Sequence, residues 1–466
     1  YWCGKVYEND CMFGIVKTAH ESKLGDVQRM SYQMVNTLDV DTMGEVVKES
    51  VDYIDQLKTN DDTFLDYLER NKNFSNDYEV LIALVNQNID FLKSEYFRQR
   101  KRKIIEVYIK NFKRGKIIQN ADNMTMLGSP YAMLLHSVGG NVENDNTMNC
   151  EDGVIQCYTK RFKDNEYIGA FRSPHNSCNN TIPLHNVYSY EMDRYFNLGN
   201  LCIAVNVQNT DIQDRANGCD FDSDTLYCTN QQDVVGHIQN CYNEYPTIVN
   251  NIPKEKNSYD NLLEHYADID NNIASSRMTI GESSNLAQIA LTYTYNFNYQ
   301  KYKDYVCILS VLAQVAIDNA KRRYDINLDS EIKRIKKDMN IKKNGYPKFW
   351  KLIRRDFKIN KINKNLECPM NYLCDIKFNN IKTTKDTLSM DYFFNKFKLK
   401  DNRRKCKKVE KFIEKYSLEL YSYSQSKDND NNDDYLLLKA NFNNMINDIQ
   451  KIYISNNYLG LMSWLI

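Results

Sequence analysis

The feature that most constrains the fold is an abrupt change of texture at Gly115. Over residues 31–116 apolar side chains recur at three- and four-residue spacing, as in Val46, Val47, Val51, Ile54 and Leu57, with almost no Gly or Pro. That is the period of amphipathic helices packed on a core. From Gly115 to about residue 249 the pattern becomes short β-branched and aromatic runs, such as 153–159, 167–171 and 201–207. They are separated by turn formers such as Gly139-Gly140 and Ser173-Pro174, which predicts strands and a small β-barrel domain. Helical spacing returns over 259–325, including 286–290 and 305–320. The order predicts an α+β chain, a barrel flanked by large helical regions.

Further along, residues 333–364 carry thirteen Lys and Arg against two acids, with Tyr346, Phe349 and Trp350 among them. Such a patch can track a nucleic-acid backbone and stack on bases; the plainer reading is a solvated Lys-rich surface. A helix is expected near 403–424, a polar linker over 426–434, and one or two amphipathic helices to the end. No repeat of twenty to fifty residues is found.

Composition excludes little. Lys plus Arg and Asp plus Glu balance at 61 each, so contact with nucleic acid has to come from a local patch. The best apolar run, 306–317, includes Gln314 and is shorter than a membrane span needs, so a buried helix and no membrane partner are expected. The 13 cysteines show no Cys-x-x-Cys pair and no zinc-type Cys/His spacing. They read as reduced packing residues of a cytoplasmic protein. The first residue is Tyr1 rather than Met.

The densest motif is Asn217-Gly-Cys-Asp220-Phe-Asp222-Ser-Asp224. On an extended strand alternate residues stand roughly 7 Å apart, so three carboxylates share an ion only if the backbone curls into a tight loop. Converged, they repel one another unless a hard cation neutralises them, and an oxygen-only set selects Mg²⁺ or Mn²⁺ over zinc. An EF-hand loop counted from Asp220 would need Gly where Thr225 stands and Glu where Gln231 stands. A solvated acidic turn is the plainer alternative; Phe221, Leu226 and Tyr227 argue against it by tying the run to a core.

The run Gly218-Cys-Asp220-Phe-Asp222-Ser-Asp224 resembles the Asp-Phe-Asp-Gly-Asp signature of two-barrel (double-psi β-barrel) RNA polymerases. It is closest to the single-chain silencing-type and phage-encoded branch. Upstream, Phe171-Arg172-Ser173-Pro174-His175 resembles the family's Arg-x-Pro element, whose arginine contacts the sugar of the incoming nucleotide. Residues 31–38 resemble the helical connector between the two barrels, and Ile280-Gly281 with 309–321 the helical segment after the second. The resemblance touches residues 18–324.

Two departures stand out. Ser223 replaces the usual Gly, and Gly218 stands where cellular enzymes carry Asn, with Asn217 one place further back. The family's first barrel supplies lysines to the reacting phosphates; nothing before Thr18 is long enough to be that barrel, and Lys17 and Lys23 are at best its exit. The active site is therefore expected to be incomplete in this chain.

The resemblance implies a double-psi β-barrel-like domain at 115–250 after a helical connector at 1–114. Helical segments follow at 251–330 and 331–425, then the linker at 426–434 and C-terminal helices at 435–466. It implies template-directed RNA synthesis from nucleoside triphosphates on DNA or RNA, with a first-barrel segment or subunit as partner. Asp220, Asp222 and Asp224 would hold one Mg²⁺ (or Mn²⁺) for the primer 3′-hydroxyl and the α-phosphate. A second ion would arrive with the triphosphate, and no protein general base is needed. Arg172 is assigned to the nucleotide sugar. Gln213, Asp214 and Arg215 are candidates to support the loop, while His175 is read as structural. The rivals are a non-catalytic nucleic-acid-binding protein with a degenerate barrel, and a metal-dependent glycosyltransferase. The second expects a doubly wound α/β domain before the motif, where helices stand instead.

Overall fold

The computed structural model describes residues 7–9, 21–73, 75–151, 154–254, 260–297, 299–319, 324–354, 361–380, 386–394, 403–425 and 432–452. Two compact units divide the chain, Tyr1–Ile54 with Val107–Phe378, and Asp55–Glu106 with Asn379–Ile466.

The first unit contains the strands β1 (Val27–Arg29), β2 (Ile118–Leu127), β3 (Cys150–Glu151), β4 (Val154–Tyr158), β5 (Tyr167–Arg172), β6 (Thr181–Asn186), β7 (Cys202–Val205) and β8 (Thr225–Thr229). Six of them close a barrel in the order β2-β7-β4-β6-β5-β8, with β8 pairing back onto β2. The β2–β7 and β4–β6 pairs are parallel and the other four antiparallel. The expected class, a barrel flanked by helices, is the one observed.

Strand periodicity explains the closure. Each barrel strand sends two alternate residues inward: Met124 and Met126, Ile155 and Cys157, Ile168 and Ala170, Ile182 and Leu184, Ile203 and Val205, Leu226 and Cys228. All are fully buried. Side chains fill the interior, so the barrel is a packed core and function is left to its rim. Helix Gln232–Glu244 packs on β5 and β6. It comes down so closely that a Cβ on Gly169 would lie 2.5 Å from Ile238 Cδ1.

The segment expected to be a connector forms the helix Tyr32–Asn36, capped by Ser31 Oγ, which accepts from the Met34 amide. Asn36 Nδ2 donates to Gln288 Oε1 at 3.1 Å, and Gln288 Nε2 donates to the Asn176 carbonyl at 2.7 Å. The short helix is thereby tied to the 34-residue helix Leu263–Asn296. Helix Tyr299–Asp318 packs along that long helix with Val306, Leu309, Leu312, Ala313, Val315 and Ala316 buried. The 306–317 run is a buried helix, and among the described residues no helix is long and apolar enough to cross a membrane.

Two expectations change. In the basic stretch Phe349 and Trp350 are core residues, and Tyr346 stacks on Trp350 at 5.9 Å, so these rings are spent on packing rather than presented to bases. Residues 355–360 of that stretch lie outside the described residues. Helix Asn432–Ile452 takes in the last residues of the expected linker, whose earlier part, 426–431, lies outside the described residues, as do 453–466 and Lys17.

The second unit is helical among the described residues. Helices Asp61–Asn71 and Tyr78–Gln87 bury Phe64, Leu68, Leu81 and Val85, with Phe91 and Phe97 edge-on to one another. Helix Arg403–Gln425 packs on Asn432–Ile452 through Val409, Ile413, Ile449 and Ile452.

Candidate functional site

The acidic motif lies between the short helix Ile212–Arg215 and β8. It therefore sits at the barrel rim where β2, β5 and β7 end and β8 begins. Between β7 and the loop stands the Ile212–Arg215 helix, which plugs Ile212 and Ala216 into the barrel core.

Left-handed backbone makes the curl. Asn217 has φ +59° and Gly218 φ +65°, the region that Asn and Gly enter most readily. The Asn217 side chain then serves as a three-way anchor. Its Oδ1 accepts from Asn180 Nδ2 at 2.9 Å and from Gln314 Nε2 at 3.4 Å, and its Nδ2 donates to the Pro174 carbonyl at 3.0 Å. Gln213 clasps the next residue, its carbonyl accepting from the Cys219 amide at 3.1 Å and its Nε2 donating to the Cys219 carbonyl at 3.5 Å. The far end is closed by Asp224, whose Oδ2 accepts from the Asp220 amide at 3.1 Å and whose carbonyl accepts from the Met126 amide of β2 at 2.9 Å.

Folded this way, Asp220, Asp222 and Asp224 bring one carboxylate oxygen each within 4.8 Å of one another. Asp220 and Asp222 are exposed and Asp224 is half-buried. Oxygens around one octahedral ion at about 2.1 Å are separated by roughly 3 Å when adjacent and about 4 Å when opposite, so carboxylates already within 4.8 Å need only a small inward movement to share a single hard cation. The donor set fits as well, being carboxylate throughout.

Cys219 anchors the loop rather than Phe221. The Cys219 side chain is buried in the barrel core, whereas Phe221 is 40% exposed and rests its ring against Gly128. Burial pushes the Cys219 thiol up to about 12, opposed by Arg172 and reinforced by the neighbouring aspartates, so it stays a neutral packing group.

Arg172 stands on β5, in register with Leu226 on the adjacent β8. It stands one strand away from the start of β8, beside the aspartate loop. Its Nη2 lies 2.8 Å from Asp224 Oδ2 and 2.9 Å from Oδ1, while Nη1 donates to the Ala216 and Asn217 carbonyls at 3.0 and 3.3 Å. The guanidinium thus holds both ends of the loop and sets the orientation of Asp224.

Of the three residues proposed to support the loop, Arg215 is the most deeply placed, 1% exposed. Its Nε donates to the Thr181 carbonyl at 2.9 Å, Nη1 to Tyr245 at 2.7 Å and Nη2 to Cys241 at 3.2 Å. The last two are carbonyls at the C-terminal end of helix Gln232–Glu244, where a cation is favoured. Asp214 is exposed. His175 is fully buried, with Nε2 3.2 Å from Thr37 Oγ1, and burial pushes its pKa down to about 3, which suits the structural reading. Asn180, Asn217 as an anchor, and Gln314 escaped the sequence reading; the only signal was an Asn beside a Gly ahead of an acidic run.

No family model matches the chain, and no curated protein matches its sequence. In structure the chain is similar to the RNA-dependent RNA polymerase QDE-1 from Thielavia terrestris, with 12% identity and a TM-score of 0.45 over 88% of this chain and 48% of that one. The chain spans about half the length of that polymerase.

Proposed function

We propose that this chain carries the catalytic aspartates of a template-directed RNA polymerase of the two-barrel type, holding Mg²⁺, with Mn²⁺ as substitute. The observation that supports this most is the convergence of Asp220, Asp222 and Asp224 on one point at the rim of a closed six-stranded barrel.

Bound there, the ion supplies a Lewis acid for the primer 3′-hydroxyl and the α-phosphate of a nucleoside triphosphate. The chain's own work is placement. Asp222, at the middle of the loop, presents its carboxylate outward, and Asp224 is fixed in direction by Arg172. The Asp220 amide donates to Asp224 Oδ2 and so helps to hold the loop curled. Arg172 remains our candidate for the nucleotide sugar, acting from the same pair with Asp224. A triphosphate beside three carboxylates calls for more positive charge than one ion and one arginine bring. We assign that charge to lysines of a first barrel, in another segment or subunit.

The test is primer extension and unprimed synthesis on DNA and RNA templates, with and without a supplied first barrel, comparing wild type with Asp222→Ala. Synthesis that requires Mg²⁺ and falls by several orders of magnitude in Asp222→Ala is expected, because ligand loss acts on the transition state. Equal synthesis by both proteins would remove the mechanism. Template binding without synthesis by either favours the non-catalytic nucleic-acid-binding reading.

A further inference from the structure

A second group of metal-binding side chains lies apart from the aspartate loop, where three segments of the first unit meet. Helix Gln232–Glu244 presents His237 and Cys241 one turn apart on the same face, and Cys178 opens the 3-10 turn Cys178–Asn180 before β6. One donor atom from each of Cys178, His237 and Cys241 lies within 4.8 Å of the other two. The third segment brings a fourth donor. The carbonyl oxygen of Thr37, at the end of helix Tyr32–Asn36, is 2.6 Å from His237 Nε2 and 3.7 Å from Cys178 Sγ. His237 Nε2 is also 3.2 Å from Cys241 Sγ. Both cysteines and Thr37 are buried, and His237 is half-buried.

We propose that Cys178, His237 and Cys241 form a structural site for a zinc-like divalent ion, with the Thr37 carbonyl in the fourth position. Tetrahedral zinc with sulfur at about 2.3 Å and nitrogen or oxygen at about 2.0 Å sets sulfur and nitrogen roughly 3.5 Å apart, the two sulfurs roughly 3.8 Å and nitrogen and oxygen roughly 3.3 Å. The 3.2 Å and 3.7 Å separations at Cys241 and Cys178 are close to those values, whereas the 2.6 Å His237 Nε2–Thr37 contact is a hydrogen bond that must open as Nε2 turns from donor to ligand. Thiolate and imidazole are donors for zinc and poor ones for magnesium, so the two clusters in this unit sort metals by softness. Charge accounts for the burial. Binding turns both thiols into thiolates and releases their two protons, and the imidazole stays neutral with its proton on Nδ1. The dication and two thiolates then sum to zero, which an apolar interior tolerates where a lone charge would not. The ion would fasten the Tyr32–Asn36 segment to the helix that covers β5 and β6, a join otherwise made through hydrogen bonds to Thr37.

The experiment uses the full chain, purified under reducing conditions, stripped with chelator and titrated with Co²⁺. One equivalent of Co²⁺ giving a thiolate charge-transfer band, displaced by Zn²⁺ and indifferent to excess Mg²⁺, is the expected result. Cys241→Ser and Cys178→Ser should each lose the band, while Asp222→Ala keeps it. Because a cysteine variant can fail to fold, thiol reactivity of the native wild type is counted in parallel, and Zn²⁺ should shield two thiols. Absence of the band in reduced wild type, its survival in Cys241→Ser, or an unchanged thiol count would overturn the proposal. A Cys178–Cys241 disulfide in the purified protein would overturn it in favour of a redox pair.

Discussion

At position 223 the chain does without glycine in a place where the backbone asks for one. Ser223 sits at φ +107°, between two of the three aspartates. A Cβ in that region costs of order 1–3 kcal/mol, offset in part by the lower unfolded-state entropy of a non-glycine residue. Ser223→Gly is therefore expected to raise stability by about 1 kcal/mol, read from thermal unfolding, with the loop unchanged. A drop in stability would show that the serine hydroxyl makes contacts worth more than the strain. His175 sets a different residue-level expectation. Its folded pKa, near 3, lies below its ordinary 6.5, so between those values the unfolded chain binds a proton that the folded chain refuses. Stability is then fully present above about pH 6.5 and falls as pH drops through this window. His175→Gln should flatten that acid limb in a series of urea melts; an unchanged slope would mean the imidazole is solvated well before unfolding.

At the scale of elements, the buried Arg215 joins three pieces: its own short helix, the start of β6 and the end of helix Gln232–Glu244. Its ring neighbour is Tyr242, 4.5 Å from the guanidinium carbon. Arg215→Lys keeps the charge but cannot serve separate carbonyls with a planar fork, and a loss of about 3 kcal/mol in urea unfolding is expected. A loss under about 1 kcal/mol would show that charge alone suffices there. Sequence reading reached this arginine only as a neighbour of the motif, because nothing in a string of letters says that an Arg has no solvent. The strands around 153–159, 167–171 and 201–207 were legible because their inward residues alternate within one run. The aspartate motif was legible because its three acids are local. What stayed hidden depends on distant pairing: Asn217 meets Asn180 and Gln314 only after β6 and the Tyr299–Asp318 helix are in place. The same holds for Cys178, whose partners lie one turn apart on a helix far downstream; no zinc-type spacing marks them, because the set spans separate elements. Phe221 misled for the opposite reason, since hydrophobicity suggested a core and the rim exposed it.

For the molecule as a whole, the seam between β2 and β8 governs the site. Thr125 faces Thr225 there, and the amide of Met126 reaches the carbonyl of Asp224. Asp224 is thus both an ion ligand in our proposal and a stitch in the seam. The consequence is one of timing. Residues so far apart along the chain pair only after the intervening strands have been laid down, since loop-closure entropy opposes an early meeting. If the seam is what gathers the three carboxylates, a half-made barrel has no place for the ion. During refolding from denaturant, with Mn²⁺ and an indicator dye present and Asp222→Ala as the blank, ion uptake should coincide with the slowest step. Uptake in the first fast phase would mean that the loop curls by itself and the seam merely receives it. If uptake comes last, the rim gains its ion in the same step that closes the barrel, and a copy whose barrel is still open does not hold an ion there.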